Sequence, residues 1–524
     1  MSQSKPFDIR DIYTISGVQI AEIYEKNKMT VHFQGMSKCL DFPQTVAIQG
    51  APTCSIGISP YGLYNRFNDA GRLIMTNQKA IQFGSAPYIR VDDECTLLTQ
   101  KQPGETELPD DIPAVKNYYH EPVPVENVTM TIATPSLEIA YELDTVKVVR
   151  RFISPLLSGD DDTVTPLCAE EFVVENTTNE PQEITIVVPR PSLINLQEKE
   201  VKPTDQDSVY ICTAAVSGQK HEELKAAGMR GVIMASTQTI NRMALAVPEM
   251  EGVSVDVQPY FCLNKYKGDL LVNADGTFYE KRKPVLRSDY GAAISLTFTL
   301  APQSSKTLPV VMALDFPVQD YIDGTTFERK YVKKFADKKT RLLDMLKTAL
   351  ENYPTWWQRT LTIQQRIFDS ICATEAYQND RDGALRLTRL MLNEFHFPLS
   401  NACVWVEDEK GNERARFLEC FDYAYIDPSD VDWYSMVLLM LFPNVEKDLC
   451  QAFVDSIQAV DPTPRWYHFH ASFVEAQQHF NDNPEAYEGE SLTQIRDDFK
   501  TKGSVAHDVG AMPKGHPLRN VSDY

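Results

Sequence analysis

The sequence predicts a multidomain protein that is β first and α afterwards, with a β-sandwich followed by a helical domain. Two observations predict this order. Up to about residue 320, short alternating or β-branched runs are separated by turn signals, a pattern typical of sandwiches. From Tyr331 onwards, the apolar residues recur at helical spacing. The predicted divisions are a sandwich over 1–320, a helical linker over 321–355 and a helical domain over 356–524.

The strand patterns of the first half are rich in valine, isoleucine and threonine, which favour strands. Polar segments, such as 158–162 and 176–181, separate them. The runs on the two sides of 176–181 are expected to pair as a hairpin, because the segment between them is a polar, proline-ended loop. The predicted strands are 125–132, 146–153, 171–175, 183–188, 292–300 and 307–314.

The second half begins with a predicted helix over 333–350, which carries an apolar stripe. Pro354 is expected to end this helix, because proline lacks the N–H group that a helical hydrogen bond needs. Further helices are predicted at 360–377, 385–393, 445–460, 471–480 and 491–500.

Composition and charge exclude several classes of function. The 524 residues have a formal net charge of -22, which repels nucleic acid and disfavours a polybasic membrane anchor. The N-terminus has no apolar signal region, and no apolar stretch approaches the roughly 20 residues of a membrane-spanning helix. The ten cysteines form no CxxC pair and no zinc-like cluster with histidine. We therefore expect a cytoplasmic protein with reduced thiols and without a metal or cofactor.

An acidic and aromatic segment over 417–434 is the main candidate for chemistry. A glycosidase needs two carboxyl groups at the glycosidic bond, and ionised groups make the strongest hydrogen bonds to sugar hydroxyls. The same segment also fits a solvated acidic loop in which Asp430 caps the next helix. Its carboxylates are Glu419, Asp422, Asp427, Asp430 and Asp432.

Two short motifs resemble a known family. The first is Leu418-Glu419-Cys420-Phe421-Asp422-Tyr423, with Asp430 eleven residues after the glutamate and an apolar, proline-ended stretch over 438–447. The second is Gly503-Ser504-Val505-Ala506-His507-Asp508-Val509-Gly510. They resemble the nucleophile region and the Val-Pro-His-Asp-hydrophobic-Gly motif of the non-lysosomal glucosylceramidase (bile-acid β-glucosidase) family, glycoside hydrolase family 116. The resemblance spans roughly 120–510 and implies an N-terminal β-sandwich followed by an (α/α)6 toroid.

The resemblance implies a role for each matched residue. Glu419 matches the catalytic nucleophile, Asp430 a carboxylate that binds sugar hydroxyls, and His507 a second hydroxyl contact. Asp508 lies beside His507 and is expected to orient it or its loop. The implied reaction is hydrolysis of β-glucosides, either glucosylceramide or soluble, by double displacement with retention. Ala506 replaces the family's proline.

The length of the helical part predicts an incomplete toroid. Six helix pairs require roughly 180–220 residues, from helices of about 11–12 residues and loops of about 4–6. Long polar loops occupy much of the region after Tyr331. The family's acid/base aspartate follows the second motif at a distance, and this sequence ends fourteen residues after Gly510. We therefore expect the acid/base residue beyond Tyr524, either in the remainder of a longer chain or in a companion chain that completes the toroid.

Three alternatives stay open at this stage. An inactive or split relative would act as a carbohydrate-binding or scaffold protein. A different sandwich-plus-toroid enzyme would use an inverting pair of carboxylates, which the stereochemistry of the first product would reveal. Peripheral contact with a membrane also stays open, since glucosylceramide is a lipid.

Overall fold

The computed structural model describes residues 8–22, 47–59, 62, 64–69, 72–75, 86–100, 121–156, 161–201, 209–214, 218–262, 272–278, 290–320, 326–407, 410–418, 426–428, 436–458 and 502–503. The described strands up to the middle of the sandwich are β1 Thr14–Ser16, β2 Ala47–Ala51, β3 Cys54–Ile58, β4 Tyr64–Asp69, β5 Arg72–Met75, β6 Tyr88–Val91, β7 Glu94–Gln100, β8 Glu121–Val123, β9 Val128–Ala133, β10 Ser136–Glu142, β11 Val146–Ile153 and β12 Leu167–Asn176. The later strands are β13 Gln182–Pro191, β14 Leu196–Val201, β15 Val209–Ala214, β16 Gln219–Ala226, β17 Met229–Ser236, β18 Arg242–Pro248, β19 Val253–Cys262, β20 Tyr290–Leu300, β21 Ser305–Asp315, β22 Val318–Asp320, β23 Thr326–Glu328, β24 Ala402–Glu407 and β25 Glu413–Phe417. The described helices include α1 Ile9–Ile12, α2 Tyr331–Lys334, α3 Arg341–Cys372, α4 Arg381–Glu394, α5 His396–Asn401, α6 Met436–Leu441 and α7 Pro443–Gln458. The described residues 17–22 are also helical.

Two sheets form the large sandwich-like region. One has nine described strands in the order β1-β9-β10-β11-β12-β21-β18-β17-β16, and the other has six in the order β19-β20-β13-β6-β7-β8. Strand β11 alternates buried and less buried residues, as a strand with one face on a core requires. Val148 and Phe172 from the first sheet and Ile186 and Leu296 from the second lie in one apolar cluster. The predicted β region is confirmed.

The expected hairpin between 172–176 and 183–188 is wrong. These runs lie in β12 and β13, which belong to different sheets. The side chain of Asn176 explains the crossing: its Nδ2 donates to the carbonyl oxygens of Glu180 and Leu300, at 2.8 and 3.2 Å. Its Oδ1 accepts from the backbone N–H of Thr178 at 2.9 Å. The polar loop therefore leads from one layer of the sandwich to the other.

The prediction that Pro354 ends its helix is also wrong, because α3 continues through it to Cys372. Proline removes one helical hydrogen bond, but packing holds the helix on both sides of it. Leu346 before the proline and Trp356 after it are buried in one cluster with Val311 of β21. The predicted division at 355/356 falls inside this helix.

Helix α3 connects the sandwich to the second half of the chain. Its first half packs on the nine-stranded sheet, against β12, β18 and β21. Its last turns place Ile367, Phe368 and Ile371 in another cluster, with residues of α4, β24, β25 and α7. Helices α4 and α7 agree with the patterns at 385–393 and 445–460. The (α/α)6 toroid stays a prediction, since the patterns at 471–480 and 491–500 lie outside the described residues.

Among the helices that the structure describes, none is long and apolar enough to cross a membrane.

Candidate functional site

Each of the four residues predicted to form the site lies outside the described residues: Glu419, Asp430, His507 and Asp508. The structure instead describes residues that lie one to four positions before three of them. Leu418 precedes Glu419, Pro428 lies two residues before Asp430, and Gly503 lies four residues before His507. Strand β25, the residues after Ile426 and helix α7 hold these three neighbours.

The hairpin β24–β25 leads directly into the first motif. Strand β24 pairs antiparallel with β25, and Leu418 follows the last residue of β25. The Trp405 ring of β24 meets the rings of Phe417 and Phe442 edge to face, with centroids 6.1 and 5.0 Å apart. Such contacts stabilise by about 0.5–1.5 kcal/mol beyond the area they bury. The end of β25 is thus fixed by a buried aromatic group.

The residues on the two sides of the segment 419–425 are paired with each other, and these flanking residues are here called the base of the segment. Leu418 and Ile426 form an antiparallel bridge. The backbone N–H of Asp427 donates to the carbonyl oxygen of Phe417 at 3.0 Å, and the Phe417 N–H donates to Asp427 Oδ1 at 2.8 Å. Asp427 has a φ of 45°, a conformation that aspartate tolerates better than most side chains. Its carboxylate therefore closes the base from which the candidate nucleophile follows.

Buried ion pairs attach this base to helix α7. Arg416 of β25 donates from Nη1 to Asp448 Oδ2 at 2.7 Å, and its Nε lies 3.7 Å from Asp427 Oδ2. Arg414 binds the other oxygen of Asp448. Arg416, Asp427 and Asp448 are 4%, 5% and 6% exposed. Charges at this depth persist only when paired, so the group fixes strand, loop base and helix together.

Cys403 lies next to the same group but is not a candidate nucleophile. It is fully buried in β24. Burial raises the pKa of the Cys403 thiol, and the neighbouring Asp427 raises it further, although Arg416 lowers it. The thiolate is the reactive form of cysteine, so Cys403 stays protonated and inert.

The second motif is anchored to the other end of α7. The backbone N–H of Gly503 donates to the carbonyl oxygen of Ile457 at 2.7 Å. Asp448 and Ile457 are nine residues apart on the helix, about 14 Å at its usual rise. The four residues from Gly503 to His507 can reach about 13–14 Å when extended. The chain between Gly503 and His507 is therefore long enough to span the distance between these two anchor points on α7.

Lysine side chains join the sandwich, helix α2 and the hairpin. Lys330 lies 3.3 Å from Asp161 and 3.2 Å from Glu413, and Glu413 also accepts from Trp405 Nε1 at 2.8 Å. Burial alone lowers the pKa of Lys330, but Glu413 and Asp161 outweigh it and the pKa is raised. Lys333 binds Glu407 in the same way. These ion pairs connect the β24–β25 hairpin to the sandwich and to helix α2.

A second group of buried charges lies in the sandwich core, away from the predicted motifs. Arg150 Nε lies 2.7 Å from Glu170 Oε1, and Arg190 binds Glu170 Oε2. Tyr64 donates to Glu170 Oε2 at 2.9 Å. Arg150, Glu170 and Arg190 are at most 2% exposed. No substrate has access to groups buried to this degree, so this network is structural.

Metal ligands were not expected from the sequence. In the described part of the chain, no group of three or more His, Cys, Asp or Glu side chains is placed to hold a metal ion.

Sequence reasoning missed the hairpin and the side chains that anchor it, Arg416 and Asp448. The signal for the hairpin was present: 402–407 is apolar and β-rich, and Lys410-Gly411-Asn412 is a turn before the alternating 413–417. Gly411 takes a φ of 81° in that turn. Arg416 and Asp448 carry no comparable signal, because their pairing joins residues 32 positions apart.

Comparisons with known proteins identify the family. The model described as "beta-glucosidase 2, glycosyl-hydrolase family 116 N-term" matches residues 50–356, which is more than half of the chain. A search of curated proteins gives no significant match.

Similar solved structures are only distantly alike. One is described as a kojibiose phosphorylase from the human microbiome, with 9% identity, a TM-score of 0.37, and coverage of 80% of this chain and 49% of that one. Another is an aldose 1-epimerase from Klebsiella pneumoniae, with 8% identity, a TM-score of 0.29, and coverage of 57% and 82%. A galactose mutarotase related enzyme from Lactobacillus acidophilus has 9% identity, a TM-score of 0.26, and coverage of 51% and 96%. TM-scores this low do not establish a shared fold.

The chain spans about half the length of the phosphorylase it matches. The family assignment rests on the match over 50–356. This is the same family that the two motifs, which lie after this range, resemble. By this match, the chain belongs to glycoside hydrolase family 116.

Proposed function

We propose that this chain provides the nucleophile half of a retaining β-glucosidase site, with Glu419 as the nucleophile. The substrates are β-glucosides, soluble or in the form of glucosylceramide. The observation that supports this most is the attachment of both motifs to one helix: Asp448 holds the base of the Glu419 segment, and Ile457 holds Gly503 before His507. Family membership supports the same reaction class.

The proposed reaction proceeds in two displacements. The Glu419 carboxylate attacks the anomeric carbon, and the bond to the leaving oxygen breaks with its electron pair going to that oxygen. A glycosyl ester of Glu419 results, which water then hydrolyses with a second inversion. A separate acid/base carboxyl protonates the leaving oxygen and later deprotonates the water. Asp430 and His507 bind sugar hydroxyls, and Asp508 orients His507 or its loop.

The charge of the protein is compatible with this substrate class. A β-glucoside is neutral, so the net charge of -22 does not repel it. A cytoplasmic location is part of the proposal. It is supported by the free thiols of Cys54, Cys95, Cys168, Cys372, Cys403 and Cys450 among the described residues, which fit a reducing compartment.

A trapping experiment tests the nucleophile. In 2,4-dinitrophenyl 2-deoxy-2-fluoro-β-glucoside, dinitrophenolate leaves without protonation, so formation of the ester needs the nucleophile but no acid catalyst. The fluorine slows hydrolysis of the ester, and the labelled peptide is identified by mass spectrometry. We expect one fluoroglucosyl group on Glu419.

Two variants give the matched comparison. Glu419→Gln should take up no label, whereas Glu413→Gln, a carboxylate variant in the adjacent hairpin, should still take up label on Glu419. Label on another residue, or none at all, would overturn the assignment. Reversible binding of gluconolactone without any ester would instead favour the carbohydrate-binding alternative.

A further inference from the structure

The group formed by Arg416, Asp427 and Asp448, here called the base cluster, lies where strand β25 ends and the Glu419 segment begins. Arg416 is the central member, since it contacts both carboxylates. Together with Arg414 the cluster contains two positive and two negative side chains, so it is neutral overall. Its members come from three separate parts of the chain: β25, the residues after Ile426, and α7.

The cluster controls backbone as well as side chains. Asp427 accepts the Phe417 N–H and donates its own N–H to the Phe417 carbonyl oxygen. Phe417 is two residues before Glu419, and its neighbour Leu418 is bridged to Ile426. A shift of Asp427 therefore moves the strand end from which Glu419 follows. Arg416 and Asp448 fix where Asp427 lies relative to α7.

The ionic form of this anchor distinguishes it from ordinary core packing. Apolar residues would hold the strand end equally well in energy, because buried ion pairs add little net stability over well-packed apolar groups. What Arg416 adds is direction, since its Nη1 donates to Asp448 Oδ2 while its Nε lies 3.7 Å from Asp427 Oδ2, and the planar guanidinium holds these two directions at a fixed angle. Direction matters most where a reacting group must meet its target within a fraction of an ångström.

We propose that the base cluster is a positioning device that sets the orientation of the Glu419 segment for attack on the anomeric carbon. This role rests on the proposed function of Glu419. It makes Arg416, Asp427 and Asp448 positioning residues, which act through the loop base and do not touch the sugar.

The test measures the two constants of labelling by 2,4-dinitrophenyl 2-deoxy-2-fluoro-β-glucoside: the maximal rate of inactivation and the concentration that gives half of it. Asp448→Asn removes the charge that both arginines contact and keeps the size of the side chain. We expect the maximal rate to fall about 10- to 100-fold, the effect of moving a reacting group by about 1 Å. The half-saturating concentration should change by less than about threefold, because the contacts that bind the sugar are not removed.

The matched control is Glu138→Gln. Glu138 is 4% exposed and contacts two arginines, Arg10 and Arg151, but it lies in the sandwich. The Glu138→Gln variant should be labelled at the same rate as the unchanged chain. Asp448→Glu restores the charge and should recover part of the lost rate, which a purely space-filling role would not predict.

Folding of each variant is followed by circular dichroism and tryptophan fluorescence. If Asp448→Asn does not fold, Arg416→Lys is compared with the unchanged chain by the same two constants, since it keeps the charge and loses the fork. Equal maximal rates in a folded variant and the unchanged chain would overturn the positioning role and leave Glu419 as the nucleophile. Absence of label in the unchanged chain would overturn the proposed function, and this role with it.

Discussion

Two of the buried arginine–carboxylate groups among the described residues differ in what they connect. The sandwich network joins Arg150, Glu170 and Arg190 from strands of both sheets. The base cluster joins Arg416, on the strand before the candidate nucleophile, to Asp448 of helix α7. Buried ion pairs thus join the two sheets in the sandwich, whereas in the second region they attach the base of the Glu419 segment to helix α7.

The sandwich network is enclosed on all sides. Arg150 also donates to the carbonyl oxygens of Leu98 and Gly62, at 2.9 and 3.1 Å. Burial raises the pKa of Glu170, but Arg150 and Arg190 outweigh this, and the pKa falls below its usual value. Glu170 is therefore ionised in the folded protein. We infer that this network matters for stability, whereas the base cluster matters for the geometry of the site.

The largest effect is expected when the sandwich network loses its carboxylate. Glu170→Gln leaves two arginine charges buried without their counter-ion, which should lower the free energy of unfolding by about 3–5 kcal/mol. Urea denaturation followed by circular dichroism measures this. The comparison variant Glu138→Gln touches more exposed arginines and should lose about 1 kcal/mol or less. Equal losses of unfolding free energy in the two variants would contradict the special importance of the sandwich network for stability.

Acid should weaken the sandwich through His221. Burial lowers the pKa of His221 from 6.5 to about 4, and the ring stacks on Tyr260 at 4.6 Å. His221 is therefore protonated below about pH 6.5 in the unfolded chain, but only below about pH 4 in the folded chain. Stability should fall by about 3 kcal/mol over this window, from 1.36 kcal/mol per pKa unit.

Urea midpoints at pH 6.5 and 4 for the unchanged chain and His221→Gln isolate this contribution, since the other titrating groups are common to both. The loss should be about 3 kcal/mol smaller in the variant. An equal loss in both would mean that His221 is protonated freely in the folded state.

A smaller loss is expected from Asp427→Ala in the base cluster. The substitution leaves the Phe417 N–H without its acceptor and puts alanine at a φ of 45°, and it should lower the free energy of unfolding by about 1–3 kcal/mol. Asp427→Asn keeps an acceptor oxygen and tolerates that conformation, so it should lose less. All five tryptophans lie between 356 and 466, so tryptophan fluorescence reports on this half of the chain. A larger loss for Asn than for Ala would contradict the account of Asp427.

The smallest effect is expected at the pairs between the two regions. Lys330 is partly exposed, and Asp161 is mostly exposed, so Lys330→Met should change the free energy of unfolding by about 1 kcal/mol or less. The difference between variant and unchanged chain should shrink further in 1 M salt, because salt screens exposed charges. A loss of several kcal/mol, insensitive to salt, would show that the contact between the regions depends on this lysine.

The sequence predicted those parts of the fold that depend on local pattern. Strand β11 has the predicted bounds, and α4 and α7 lie where their apolar stripes are. The errors have nonlocal causes. The hairpin predicted around 176–181 does not form, because Asn176 binds a carbonyl group at the end of β20. Pro354 does not end α3, because the helix packs on the sheet on both sides of the proline.

The candidate site was predicted from short motifs, and the structure adds what those motifs could not contain. Nothing in the sequence near Glu419 indicates that Arg416 contacts Asp448, or that Gly503 meets the end of α7. These contacts depend on how distant segments pack, which a local pattern does not encode. The roles of Glu419, Asp430, His507 and Asp508 stay predictions.

The most direct test of the account is a crystal structure with a gluconolactone-type ligand. We predict that the ligand lies beside α7 and contacts Glu419, Asp430 and His507 at once, with the base cluster intact behind the Glu419 segment. A ligand bound elsewhere, or motifs that lie on different sides of α7 with no shared contact, would contradict the claim that the two motifs form one sugar site.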